Sequence, residues 1–246
     1  MADMDMEPAS WRKATAELIG TFTLIYVGIL VLTVGGGAPL IAVAFAHGLA
    51  IAVMVSATMS ISGGQLNPAV TLGLLSARKV TVAQAIYNIV AQIVGGLLGG
   101  YLAYASMGFA KAGGVPTITA GVPDLAPGVT PGTGILIEAI LTFFLVFVIM
   151  GTAVDPRFGS RVGGLAIGLT IAMDIMAAGP LTGAAMNPAR WIGAAVAAGH
   201  YGNGYVYIVG PIIGGILGAL VYKEFLLEEP RPHPEPAAEM RAKGNR

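Results

Sequence analysis

The sequence predicts an all-α membrane protein: six transmembrane helices and two re-entrant half-helices, arranged as an inverted repeat. Three observations predict it. Of the 246 residues, 55% are hydrophobic and only 11% charged, too little charge to cover a soluble domain of that length. Six apolar runs are each long enough to cross a hydrocarbon core, which takes about 20 helical residues. Two further apolar pieces are too short to cross, and the chain repeats itself around them.

The first two runs cover about 13–34 and 40–60. The leading MADMDMEPASWRK is acidic, then briefly basic, with no small-residue cleavage site, so the first run reads as a spanning helix and not a removed signal. The first short piece, about 66–76, opens with Asn67-Pro68. Asparagine accepts from the free N–H groups of a first turn and proline suits that turn, so NPAV starts a helix instead of breaking one. A piece of that length fits a re-entrant half-helix.

SARK (76–79) leads to a run at about 82–106, and a Pro/Gly-rich segment (111–133) to one at 132–154. DPRFGSR (155–161) precedes the run 162–180, and a second short piece, about 186–198, opens with Asn187-Pro188. GHYGNG (199–204) leads to the last run, 204–226. Beyond it, EEPRPHPEPAAEMRAKGNR has the composition of a disordered tail. The expected organisation is a tail 1–11, a membrane domain 12–227 and a tail 228–246. The domain divides into repeat 1 (about 12–106), a connecting loop (107–131) and repeat 2 (132–227).

The repeat is explicit. HGLAIAVMVSATMSISGGQLNPAV (47–70) aligns without a gap to IGLTIAMDIMAAGPLTGAAMNPAR (167–190), an offset of 120 positions. ELIGTF (17–22) matches EAILTF (138–143), and AQIVGGLLG (91–99) matches GPIIGGILG (210–218). Three crossings per copy force the second copy to insert upside down, which brings both interrupted helices to the midplane. Glycine, with 36 copies spread through the apolar runs, predicts close helix packing. Arg12, Lys13, Arg78, Lys79, Arg157, Arg161 and the basic residues from Lys223 onward fall on one side, against Lys111 on the other. That bias predicts cytoplasmic termini and a multi-pass protein, here of the cell membrane.

Composition also excludes. Thirteen basic and thirteen acidic residues balance, with no basic cluster to hold nucleic acid. The absence of cysteine rules out disulfides, thiolate metal sites and thiol nucleophiles. No nucleophile–base pair, metal-ligand cluster or phosphate loop stands out, so neither an enzyme nor a cofactor or metal is expected.

The paired SGGQLNPAV and TGAAMNPAR, inside matched repeats covering about 12–226, resemble the aquaporins, or major intrinsic proteins. The resemblance is to a prokaryotic aquaporin-like channel with a tonoplast-like filter. It implies a right-handed bundle in a homotetramer with one pore per protomer, passing water and small neutral solutes such as ammonia, glycerol or hydrogen peroxide.

The resemblance places Asn67-Pro68-Ala69 and Asn187-Pro188-Ala189 at the pore centre. Two half-helix N-termini there, each equivalent to about half a positive charge, disfavour cations. The two asparagines would donate to a passing water and interrupt a proton wire; the plainer reading is that each only caps its helix. Arg190 follows the second motif, where it faces water or protein more cheaply than lipid; the alternative is pairing with headgroups. By alignment the filter is His47, Ile175, Ala184 and Arg190, similar to the plant tonoplast set. His47 alone reads as a packing histidine; in a filter its protonation would modulate flux.

Glu17 and Glu138 occupy equivalent positions. They read as acceptors for backbone N–H groups of the re-entrant loops, against a role as coupling acids of a proton-driven transporter. Asp174 has no acidic twin and is the third candidate for such coupling. Trp191 departs from the Ser of water channels and the Asp of glycerol channels. Ala195 and Tyr207 are water-like, and Ile208 is more typical of glycerol channels.

Overall fold

The computed structural model describes residues 10–33, 38–110, 121–157 and 162–228. Most of both expected tails, with His233, and also Lys111 and Arg161, lie outside the described residues. The helices are α1 (Ser10–Thr33), α2 (Leu40–Ser62), α3 (Pro68–Ser76), α4 (Val82–Ala110), α5 (Pro131–Ile149), α6 (Gly163–Thr182), α7 (Pro188–Ala198) and α8 (Val206–Phe225). A π-helical turn, Met150–Val154, extends α5. The six long helices are each apolar and long enough to span a membrane; α3 and α7 have 9 and 11 residues and are not.

Chain direction puts Ser10 and Phe225 on one face, here the terminal face. The α1–α2 and α6–α7 connections lie on the far face. The half-helices start in the middle: α3 returns to the terminal face, and α7 to the far face.

The most extensive pairings are α1 with α4, α5 with α8, and α2 with α6. Each half-helix also packs on the last helix of the other repeat, α3 on α8 and α7 on α4, so the repeats interlock. Small residues permit this closeness. A Cβ on Gly48 of α2 would lie 2.6 Å from the Gly168 carbonyl oxygen of α6, and one on Gly193 of α7 would overlap the Gly96 carbonyl of α4. With no hydrophobic drive between helices in lipid, such backbone contact supplies much of the association. Apolar residues such as Ile41, Leu49, Val90, Leu136 and Leu165 instead project outward, as a lipid-facing surface requires.

Candidate pore and filter

The re-entrant loops are built from the same parts. Gly63 (φ +90°) ends α2 and Gly183 (φ +79°) ends α6, each in a left-handed turn. Leu66 and Met186, one residue before each asparagine, also have positive φ, +53° and +51°. Left-handed non-glycine backbone costs about 1–3 kcal/mol and persists only where its surroundings hold it.

Two buried carboxylates do the holding. Glu17 accepts from the Gln65 N–H through Oε1 (2.9 Å) and from the Leu66 N–H through Oε2 (2.6 Å), with the Ser62 hydroxyl at 2.6 Å. Glu138 repeats the arrangement with Ala185 N–H (3.0 Å), Met186 N–H (2.7 Å) and the Thr182 hydroxyl (2.7 Å). Hydrogen bonds to a charged acceptor contribute roughly 1.5–3 kcal/mol each, enough to offset the turn strain.

Asn67 Oδ1 accepts from Ala69 N–H at 2.9 Å, and Asn187 Oδ1 from the N–H groups of Ala189 (3.0 Å) and Arg190 (3.2 Å). Both therefore cap their helices. The amide ends cross between repeats: Asn67 Nδ2 donates to Met186 O at 2.8 Å and Asn187 Nδ2 to Leu66 O at 2.9 Å. An amide has two N–H donors, so each asparagine keeps one beyond the cross-brace. Pro68, Ala69, Pro188 and Ala189 form the buried first turns.

A narrow cavity of about 20 Å³ runs past both asparagines, lined by His47, Ile175, Ala184 and Arg190 on one side and by Gln65 and Val70 on the other. A far-face vestibule of about 410 Å³ shares Ile175 and Arg190 with it. On the terminal face the vestibule is about 840 Å³. The volumes describe an hourglass whose waist carries the polar groups.

His47 and Arg190 meet there. His47 Nδ1 lies 2.9 Å from the Val43 carbonyl, which can only accept, so Nδ1 carries the proton. Nε2 is then an acceptor and takes an N–H from Arg190 NH2 at 3.1 Å. The Val43 contact fixes the tautomer and the Arg190 contact calls for the neutral ring, so the pH response expected of His47 finds no support in this geometry. Arg190 NH1 is buried with no hydrogen-bond partner among the described residues.

Asp174 is buried beside Ile175 but does not line the waist, and its Oδ2 has no partner among the described residues. Trp191 also turns away from it. Its indole N–H donates to Pro123 O at 3.2 Å, its ring stacks on Tyr207 at 6.0 Å, and Gly204 leaves the space it fills. The Tyr207 hydroxyl donates to Thr182 O at 2.8 Å. Trp191 thus ties the segment 121–125, part of the far vestibule wall, to the base of α7. Asp124 ties the same segment outward, accepting from Asn203 Nδ2 (3.0 Å) and meeting His200 Nε2 (2.8 Å). Burial would raise the Asp124 carboxyl, but these bonds and the Leu125 N–H hold it below its ordinary value.

Sequence reasoning missed the Pro123–Asp124 segment, because it lies inside a Pro/Gly-rich stretch with no counterpart in the repeat. It also missed Gln65, whose signal was its difference from Ala185.

Residues 5–222 match the family described as Major intrinsic protein. The chain belongs to that family. It is 41% identical over 235 residues to Aquaporin TIP4-4 of Zea mays, covering 92% of this chain and 90% of that protein. It is 38% identical over 254 residues to Probable aquaporin TIP3-2 of Arabidopsis thaliana, covering 94% and 91%. The aquaglyceroporin from Plasmodium falciparum superposes with a TM-score of 0.79 at 24% identity, covering 89% of this chain and 97% of that one, which shows a shared fold. As a family member the chain is an integral, multi-pass membrane protein.

Proposed function

We propose that this protein is a passive transmembrane channel for water and for small uncharged solutes, among them ammonia, glycerol and hydrogen peroxide, and that it excludes protons and other ions. The observation that carries the reading is the waist: two helix N-termini, two crossed asparagines and Arg190 around one narrow cavity. Positive partial charge and a fixed cation repel cations, hydronium included. The free amide hydrogens of Asn67 and Asn187 hold a water by its oxygen and turn its hydrogens away from the chain of neighbours.

His47, Ile175, Ala184 and Arg190 form the filter in this reading. Accepting from Arg190 keeps one edge of the guanidinium against the wall and leaves NH1 for the solute. Glu17 and Glu138 support the re-entrant loops. Their oxygens are already occupied by backbone donors, which argues against the proton-coupled transporter, and no observation favours an enzyme.

The described basic residues other than Arg190, namely Arg12, Lys13, Arg78, Lys79, Arg157 and Lys223, follow the terminal face, which supports cytoplasmic termini. The cell membrane as host and a homotetramer complete the proposal, the latter resting on family membership. Stopped-flow light scattering on proteoliposomes tests it. Osmotic shrinkage should be faster than in empty liposomes with a lower activation energy; equal rates and equal activation energies would end the proposal.

A further inference from the structure

The two half-helices are seated differently. Under α7 the packing is aromatic, with Trp191 stacked on Tyr207. The repeat-1 counterparts of Ala185, Trp191, Tyr207 and Pro211 are Gln65, Thr71, Asn88 and Gln92, all polar and all buried. They form a hydrogen-bonded chain.

The direction of that chain is set at its buried end. The Glu17 carboxylate can only accept, so the group 2.7 Å from its Oε2 is the Gln92 amide Nε2. The same nitrogen lies 3.0 Å from Thr71 Oγ1, which therefore accepts from it. Thr71 has one proton to give, and its nearest acceptor is Gln65 Oε1 at 2.7 Å. From the other side Asn88 Nδ2 donates to the same Oε1 at 3.0 Å, while Asn88 Oδ1 accepts from Gln84 Nε2 at 2.5 Å. Two donors converge on the Gln65 carbonyl, so the amide nitrogen must occupy the opposite end. The Gln65 backbone N–H is held by Glu17 as well.

Gln65 is 6% exposed, and it lines both the waist and the terminal vestibule. Its position is where the wide mouth narrows. Arg190 and His47 occupy the far side of the asparagine pair; Gln65 is the polar side chain on the terminal side.

We propose that Gln65 is a further specificity-determining residue: its Nε2 donates into the cavity at the terminal entrance of the waist. It selects uncharged solutes that carry an acceptor oxygen or nitrogen lone pair. A fixed N–H₂ presents positive partial charge, so a cation meets a second unfavourable site. An amide is also neutral across the physiological range, so this donor is not lost by titration. Thr71, Asn88, Gln92 and Glu17 are positioning residues that hold the donor end toward the cavity. This inference rests on the channel reading above.

The chain contains no cysteine, so Gln65→Cys introduces a single thiol. Mercuric ion is applied to vesicles bearing wild type or Gln65→Cys, with osmotic water flux as the readout. The expected result is a severalfold loss of flux in Gln65→Cys, reversed by a reducing thiol, with the wild type unaffected. A conducting Gln65→Cys that is indifferent to mercury overturns the inference and leaves the channel reading intact. A wild type that conducts no water overturns the channel reading itself. The second measurement needs no variant: a high-resolution experimental structure of the wild type should place a water within hydrogen-bond reach of Gln65 Nε2. Density showing that nitrogen bonded to protein alone overturns the inference even if Gln65→Cys does not fold.

Discussion

Asn67 and Asn187 brace each other's loops: each amide donates to the backbone carbonyl that precedes the other asparagine, at 2.8 and 2.9 Å. The centre of the molecule is thus a cross-linked pair of helix starts, each fixed by a residue of the other repeat. Removing either side chain removes a cap and a brace together. A cap contributes about 0.5–2 kcal/mol and a neutral hydrogen bond about 1 kcal/mol. Asn187→Ala should therefore lower unfolding free energy by about 1.5–3 kcal/mol, read by denaturation in detergent, and should slow water flux.

Glu138→Gln tests the loop support. The neutral amide keeps one acceptor and turns an N–H₂ toward a backbone N–H, so one of the Ala185 and Met186 donors loses its partner. The expected loss is at least about 2 kcal/mol, with less folded protein recovered. A proton-coupling role predicts instead a well-folded variant whose transport no longer depends on a pH gradient.

Trp191 separates two effects. Trp191→Phe keeps the stack on Tyr207 and loses the bond to Pro123 O, for about 0.5–1.5 kcal/mol. Trp191→Ser also leaves a large void, for about 3–5 kcal/mol, and frees the segment 121–125 beside Arg190. The glycerol-to-water permeability ratio should rise in Trp191→Ser and change little in Trp191→Phe.

His47→Phe removes the acceptor for Arg190 NH2 and puts a larger ring into the waist, where Gly28 already packs against the imidazole. Fluxes of ammonia and glycerol should fall more than water flux, measured in the same vesicles.

On the terminal face Asp155 binds the Arg157 guanidinium at 2.6 Å and the Tyr222 hydroxyl at 3.0 Å, while Arg157 reaches Leu226 O at 2.6 Å. Hydrogen bonding by Arg157 holds the Asp155 carboxyl well below the usual carboxylate range. A depressed carboxyl stabilises the fold above its ordinary value, and that contribution is lost as pH falls through the folded value. Thermal stability of the wild type should exceed that of Asp155→Asn by a constant margin from neutrality to about pH 5. The margin should vanish only in strong acid.

The spans and both half-helices were legible because membrane crossing imposes length and apolarity, and because Asn-Pro marks a helix start twice. Glu17 and Glu138 were legible as a pair because the repeat exposed their equivalence. The roles of Trp191 and Gln65 were not, since they depend on what each repeat packs against. The indole of Trp191 is used by Pro123, 68 positions away, and the amide of Gln65 is oriented by Asn88 and Thr71. Alignment set His47 and Arg190 side by side, and the two are 3.1 Å apart, yet the neutral ring follows from that contact and the tautomer from Val43 O, which periodicity cannot show. Asp174 Oδ2 has no hydrogen-bond partner among the described residues.

The most direct test of the central claim measures water and proton flux together in proteoliposomes under an osmotic step and a pH gradient. The account predicts rapid protein-dependent water efflux while the gradient decays no faster than in empty liposomes. Protein-dependent collapse of the gradient, or water efflux at the empty-liposome rate, would contradict it.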